Sequence, residues 1–196
     1  PVDLNSSMQR GFGIKKKKNI KSWNSIKNID FPAAFAVLDS AIKAEIFPGA
    51  QVVVAQHGKL VFSEGFGYHT YDIDSPPVTN KTIYDIASLT KVLAATPVTM
   101  KLISQKKLSL DQNIQQFYPQ FTGGYKESAT IRHLLTHSSG LQDYVPFFQD
   151  ENIKDKEDVM QNIQNSKLDF EPESQSKYSD LGFILLSSII EKVSGR

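Results

Sequence analysis

Thr82-Ile-Tyr-Asp-Ile-Ala-Ser-Leu-Thr-Lys91 runs from mixed polar and apolar residues into Ser88, and from there a long apolar-periodic segment begins. If Ser88 opens a helix, Lys91 follows three residues later, one turn above the hydroxyl and on the same face. That places a nucleophile and a base side by side. A serine hydroxyl is weak at neutral pH without such a neighbour, and the positive end of a helix favours the anion formed on attack. Ser-x-x-Lys occurs four times, at Ser40/Lys43, Ser88/Lys91, Ser104/Lys107 and Ser174/Lys177, so context must choose among them. Ser40 falls within an amphipathic helix, Ser104 at a helix end among further lysines, and Ser174 in a polar loop. Ser88 stands at a loop-to-helix junction, where backbone N–H groups are free to bind an oxyanion.

Downstream, the pattern predicts a helix to about Gln105 through Val92, Leu93, Val98, Met100, Leu102 and Ile103, with Pro97 kinking it or ending its first part. Leu108 to Asp111 starts a further segment that Phe117-Tyr118-Pro119 closes. A short helix is expected within Thr130 to Leu141, capped by Thr130 and ended by Gly140. His133 and His137 lie four apart on it. A zinc-protease helix needs Glu directly after its first His, and Leu134 stands there, so packing and hydrogen bonding are expected in place of a metal. Residues 142–168 are polar and helix-prone, as a cover over a cleft would be. The polar loop from Phe170 to Gly182 then delivers Tyr178 and Asp180 to a final helix so apolar that it must be buried.

Upstream, residues 1–29 read as a linker or strap, with Asp30 able to cap a helix carrying Phe35, Leu38, Ile42 and Ile46 until Pro48-Gly49. Ala50 to Gln56 and Lys59 to Glu64 are β-branched runs joined by His57-Gly58, which is a hairpin signal. The elements add up to a mixed α and β architecture (α/β, α+β) with helices outnumbering strands. A hairpin alone is not a stable sheet, so it needs more strands or helices to dock on.

The 196 residues suit one large domain or two small layers, and 40% apolar with 22% charged residues is ordinary for a globular chain. A net charge of +1 gives no case for a nucleic-acid or membrane-surface partner, and Lys15 to Lys18 lie in a polar segment without aromatics. The absence of cysteine excludes disulfides and thiol chemistry without fixing the compartment. No stretch approaches the roughly 20 apolar residues of a membrane span. Nothing in the sequence calls for a cofactor. A start at Pro1 and an end just after an apolar helix read as a mature or excised piece of a longer product.

With Ser88-Leu-Thr-Lys91, His133-Leu-Leu-Thr-His-Ser-Ser-Gly-Leu141 and Tyr178-Ser-Asp180 in order, the chain resembles the serine β-lactamase and penicillin-binding-protein-like superfamily. It is most similar to the branch of class C β-lactamases, D-alanyl-D-alanine carboxypeptidases and esterases. The resemblance covers about residues 33–196, supported by Pro48-Gly-Ala-Gln-Val-Val-Val-Ala55, Phe66-Gly-Tyr68 and Leu181-Gly-Phe-Ile-Leu-Leu186. It implies a β-lactamase/transpeptidase-like fold, with a helical subdomain and an antiparallel sheet flanked by helices. It also implies acyl transfer through a covalent serine intermediate on a β-lactam, a D-amino-acid peptide or an ester. In that scheme Ser88 attacks, Lys91 and Tyr178 share the proton work, and Asp180 meets the substrate. The implied partner is a small-molecule or peptidoglycan-like substrate, and the implied location is periplasmic or secreted. Wording around Phe66 to Tyr71 and Tyr84 to Val92 is similar to a bacterial subgroup in which this domain follows a glycoside-hydrolase-like domain.

Two departures from the family pattern matter. Asp180 stands where the family usually has Asn, which removes an amide donor and offers Lys91 a counter-ion. The third motif, a Lys-Thr-Gly or His-x-Gly strand, is absent, so residues 30–196 are expected to be the N-terminal part of the domain. Its sheet is then incomplete, and a complementary C-terminal segment carries the rest. A penicillin-recognising or accessory peptidoglycan-binding domain with little turnover is the alternative reading.

Overall fold

Gly58 and the preceding His57 both take positive φ, 73° and 51°, which forms the two-residue turn whose twist matches that of the strands it joins. The strands are β1 (Gly49–Gln56) and β2 (Lys59–Gly67), antiparallel, with Gln56 opposite Lys59 and Gly49 opposite Gly67. Both predicted strands are present, and β2 runs three residues further than the sequence pattern indicated. The register slips between Val54 and Ala55, which is a bulge. This is a computed structural model, and it describes residues 32–195. The predicted strap, Lys15 to Lys18 and Asp30 lie outside the described residues.

The described chain divides into two compact units after Asp85. In the first, α1 (Pro32–Lys43) lies against β2, with the Phe35 ring 4.8 Å from Phe62 and 5.5 Å from Phe66. The hairpin therefore docks on a helix, and among the described residues the sheet has these two strands. Ile46 lies beyond the end of α1 and is exposed, so the predicted apolar stripe stops at Ile42. β2 is also approached closely by the chain that follows it: a Cβ on Gly65 would meet the Val78 carbonyl oxygen at 2.3 Å.

The second unit begins with the Ser88 junction. Helical geometry starts at Leu89, widens into a π turn over Lys91–Ala95, and tightens into α2 (Thr96–Ser104). Pro97 marks where the first part of the helical run gives way to a new segment, one of the two outcomes the sequence pattern allowed. It occupies the first turn of α2, where a missing N–H costs nothing, and the irregularity falls in the turn before it. Thr96 steadies that wide turn: its N–H and its hydroxyl both donate to the Lys91 carbonyl.

Next come α3 (Ile131–Leu135), α4 (Lys156–Asn165) and α5 (Asp180–Ser194). α3 stops at Leu135, five residues before Gly140, because the chain turns left-handed at His137 with φ 56°. The apolar sequence of α5 has the burial that it requires. Leu181, Leu185 and Ile189 recur every four residues and are fully buried, packed in one core with Ile131 and Leu134 of α3 and Ile163 of α4. Each such side chain contributes about 1.5 to 3 kcal/mol on leaving water. Ser179 caps α5 through its Oγ, which accepts the Gly182 N–H at 3.0 Å, and Gly195 ends it with φ 74°. This rigid helix fixes the direction in which residues 178–180 leave the loop.

Candidate active site

Ala87 precedes the nucleophile position with φ 42°, a left-handed conformation that costs a residue with a Cβ roughly 1 to 2 kcal/mol. The turn it makes is closed by the Thr90 N–H on the Ala87 carbonyl and the Lys91 N–H on the Ser88 carbonyl, both at 3.0 Å. Ser88 is thereby presented just ahead of the first helical turn. Lys91, three residues on, donates from Nζ to Ser88 Oγ at 3.1 Å. The spacing read from the sequence is a contact in space.

Tyr178 reaches the same oxygen from ninety residues away, donating from its hydroxyl to Ser88 Oγ at 2.6 Å. Asp180, two residues further and in the first turn of α5, places Oδ1 2.6 Å from Lys91 Nζ. No other donor among the described residues reaches that oxygen. The lysine ammonium also lies 4.9 Å from the centre of the Tyr178 ring and 5.9 Å from that of Phe183. All four residues singled out from the sequence, Ser88, Lys91, Tyr178 and Asp180, therefore meet at one point. Partial burial by itself pulls the Lys91 pKa down, but the hydrogen bonds and negative charge of Asp180 and the contribution of Tyr178 outweigh it. The ammonium is held above the ordinary lysine value.

The position of Tyr178 is set by a pairing of two loop segments. The Lys177 N–H donates to the His137 carbonyl at 2.8 Å, and Ser176 Oγ donates to the Thr136 carbonyl at 3.1 Å. Ser179 Oγ donates to the Gln142 carbonyl at 2.6 Å, and the Asp180 N–H to the Asp143 carbonyl at 2.7 Å. Gly140 lets the segments close: its φ is 80°, and a Cβ there would lie 2.1 Å from the Phe170 carbonyl oxygen. Residues 136–143 thus form a bed for residues 169–180.

His133 and His137 each have work within this frame. His133 Nδ1 accepts the Thr130 N–H at 3.2 Å at the start of α3, and His137 Nδ1 accepts the Ser179 N–H at 3.1 Å. Among the described residues, no three His, Cys, Asp or Glu side chains gather as metal ligands would. His137 stands against the site itself, its ring centre 4.7 Å from that of Tyr178 and 5.1 Å from that of Phe183. The sequence reading gave His137 no such place, and its contact lies 42 positions away in sequence.

A cleft of about 660 Å³ opens beside Ser88 and Lys91, walled by Tyr144, Val145, Phe147 and Phe148 on one side and Phe183 and Ile184 on another. The cover expected from residues 142–168 is therefore only its first part. Beyond it α4 turns inward and buries Met160 and Ile163 in the core.

The beta-lactamase family model matches residues 37–196. A penicillin-binding protein 4* of Bacillus subtilis is 33% identical over 150 residues, which take in 74% of this chain and 32% of that protein. A beta-lactamase of Providencia stuartii is 31% identical over 160 residues, 80% of this chain and 39% of the relative. Among solved structures, a class C beta-lactamase in complex with cefoxitin superposes with a TM-score of 0.69 at 28% identity, over 82% of this chain and 44% of that one. The chain thus spans 32% to 44% of the length of these relatives.

Proposed function

Because the chain belongs to the beta-lactamase family, we propose that the complete domain is a serine hydrolase working through a covalent acyl-enzyme on Ser88. The observation that carries this reading is the convergence of Lys91 Nζ and Tyr178 Oη on Ser88 Oγ. Asp180 holds Lys91 as an ammonium, so the proton work passes to Tyr178. The reacting form has Tyr178 as a phenolate steadied by the Lys91 charge. The Ser88 proton moves to that phenolate as the Oγ–carbon bond forms, and the carbonyl electron pair moves onto oxygen, where the Ser88 N–H binds it. Collapse returns the pair, breaks the bond to the leaving group, and transfers the Tyr178 proton to that group. Water then repeats the sequence on the acyl-enzyme and frees Ser88.

The substrate class is a β-lactam, a D-amino-acid peptide or an ester, with Asp180 at its edge. Residues 30–196 are the N-terminal part of the domain, and a complementary C-terminal segment supplies the second oxyanion donor. Residues 1–29 strap it to an upstream glycoside-hydrolase-like domain, and the whole works in the periplasm or outside the cell. Among the described residues no helix is long and apolar enough to cross a membrane.

Labelling with a fluorophosphonate and, separately, a fluorescent penicillin tests the reading, with peptide mass mapping and a Ser88→Ala control. Label on Ser88 that vanishes in the variant is the expected result, and the probe that reacts selects the substrate class. A complete domain that binds penicillin without acquiring label would overturn the hydrolase reading in favour of a binding domain.

A further inference from the structure

We propose that His137 is a positioning residue for Tyr178, a pH-sensitive brace that keeps the phenol on Ser88 only while its ring is neutral; the catalytic consequence rests on the serine hydrolase reading. Three contacts join His137 to the residues around Tyr178. Its carbonyl accepts the Lys177 N–H, its Nδ1 accepts the Ser179 N–H, and its ring lies against the phenol between them. The residues on both sides of Tyr178 are therefore bonded to one side chain and its own backbone.

The Ser179 contact fixes the chemistry of the ring. An amide N–H can only donate, so Nδ1 must present a lone pair, and the neutral ring carries its proton on Nε2. Protonation would turn Nδ1 into a donor facing another donor. The bond that holds the N-cap of α5, one residue from Tyr178, would become a repulsion. Phe183 of α5 closes the other side of the ring at 5.1 Å, so the ring has little room to turn away.

The charged groups around the ring act in opposite directions. Burial disfavours the imidazolium most, the Lys91 ammonium opposes it further, and the Asp180 carboxylate favours it. The balance holds the ring neutral below the ordinary histidine value. The left-handed backbone at His137, φ 56°, completes the device. Asparagine tolerates that conformation and carries a carbonyl acceptor that does not titrate, so it is the conservative replacement, whereas leucine offers no acceptor.

The test compares the complete domain with its His137→Asn and His137→Leu variants. In the wild-type chain, the ¹⁵N shift of His137 Nδ1 is expected to be that of an unprotonated ring nitrogen at neutral pH. The Tyr178 ring resonances and the Ser179 amide should move together with it on acidification, and in His137→Asn that acid-driven movement should be absent. The rate of Ser88 labelling by a fluorophosphonate should fall on the same acid limb in wild type, keep no such limb in His137→Asn, and drop about 100-fold at neutral pH in His137→Leu. A protonated Nδ1 at neutral pH, or an acid-driven movement of the Tyr178 ring resonances unchanged in His137→Asn, would overturn the brace. The magnetic-resonance arm decides that even if no form of the complete domain takes label, an outcome that would count against the hydrolase reading alone.

Discussion

Asp180 and Lys91 decide the charge of the site between them. With the carboxylate 2.6 Å from Nζ, the lysine is an acid-side partner and not a free amine. Asp180→Asn removes the counter-ion and restores an amide donor at the cleft, so amide turnover is expected to rise relative to ester turnover by about tenfold. Steady-state rates on a matched ester and amide pair check this, and an unchanged ratio would detach Asp180 from selectivity. Ser88 and Lys91 were legible in the sequence because their relation is local, three residues apart across one loop-to-helix junction. Tyr178 and Asp180 were legible only through the resemblance, since nothing in their spacing shows that they fold back onto Ser88. His137 was visible as a residue but not as a brace, because its function depends on a left-handed backbone and on an amide far along the chain.

Among the elements, the bed made by residues 136–143 matters most for the site. Gly140→Ala would add a Cβ at positive φ and drive it to 2.1 Å from the Phe170 carbonyl oxygen, so both strain and collision oppose it. A loss of roughly 2 to 4 kcal/mol is expected, with slower Ser88 labelling than the stability loss alone would give, as Tyr178 loses its seat. Urea unfolding beside the labelling rate measures the two effects separately. The hairpin was readable from His57-Gly58 and its flanking β-branched runs. The π turn over Lys91–Ala95 was not, because apolar periodicity tolerates one extra residue without changing its appearance. The early end of α3 was missed for a related reason: Gly140 looked like the stop, but the turn was already taken at His137.

For the whole molecule, acid is the condition to which the second unit is built to respond. Burial is the largest influence on both His133 and His137, and it holds each below the ordinary histidine value of 6.5. As pH falls through about 6.5 the unfolded chain takes up protons that the folded chain refuses, so stability declines from there until the folded-state values are reached. Urea midpoints at pH 7.5 and pH 5.5 should show that decline, and His137→Asn should lessen it. The division into two units was not foreseen from the sequence, while the apolar run of α5 announced the core around it. The two-stranded sheet of the first unit carries one more consequence. β1 reads Gly-Ala-Gln-Val-Val-Val-Ala-Gln, uncharged and without proline, and its hydrogen bonds among the described residues run to β2 on one side only. Its outer row of amides and carbonyls is a template for a further strand, so copies of this chain left alone at high concentration have a built-in route to aggregation.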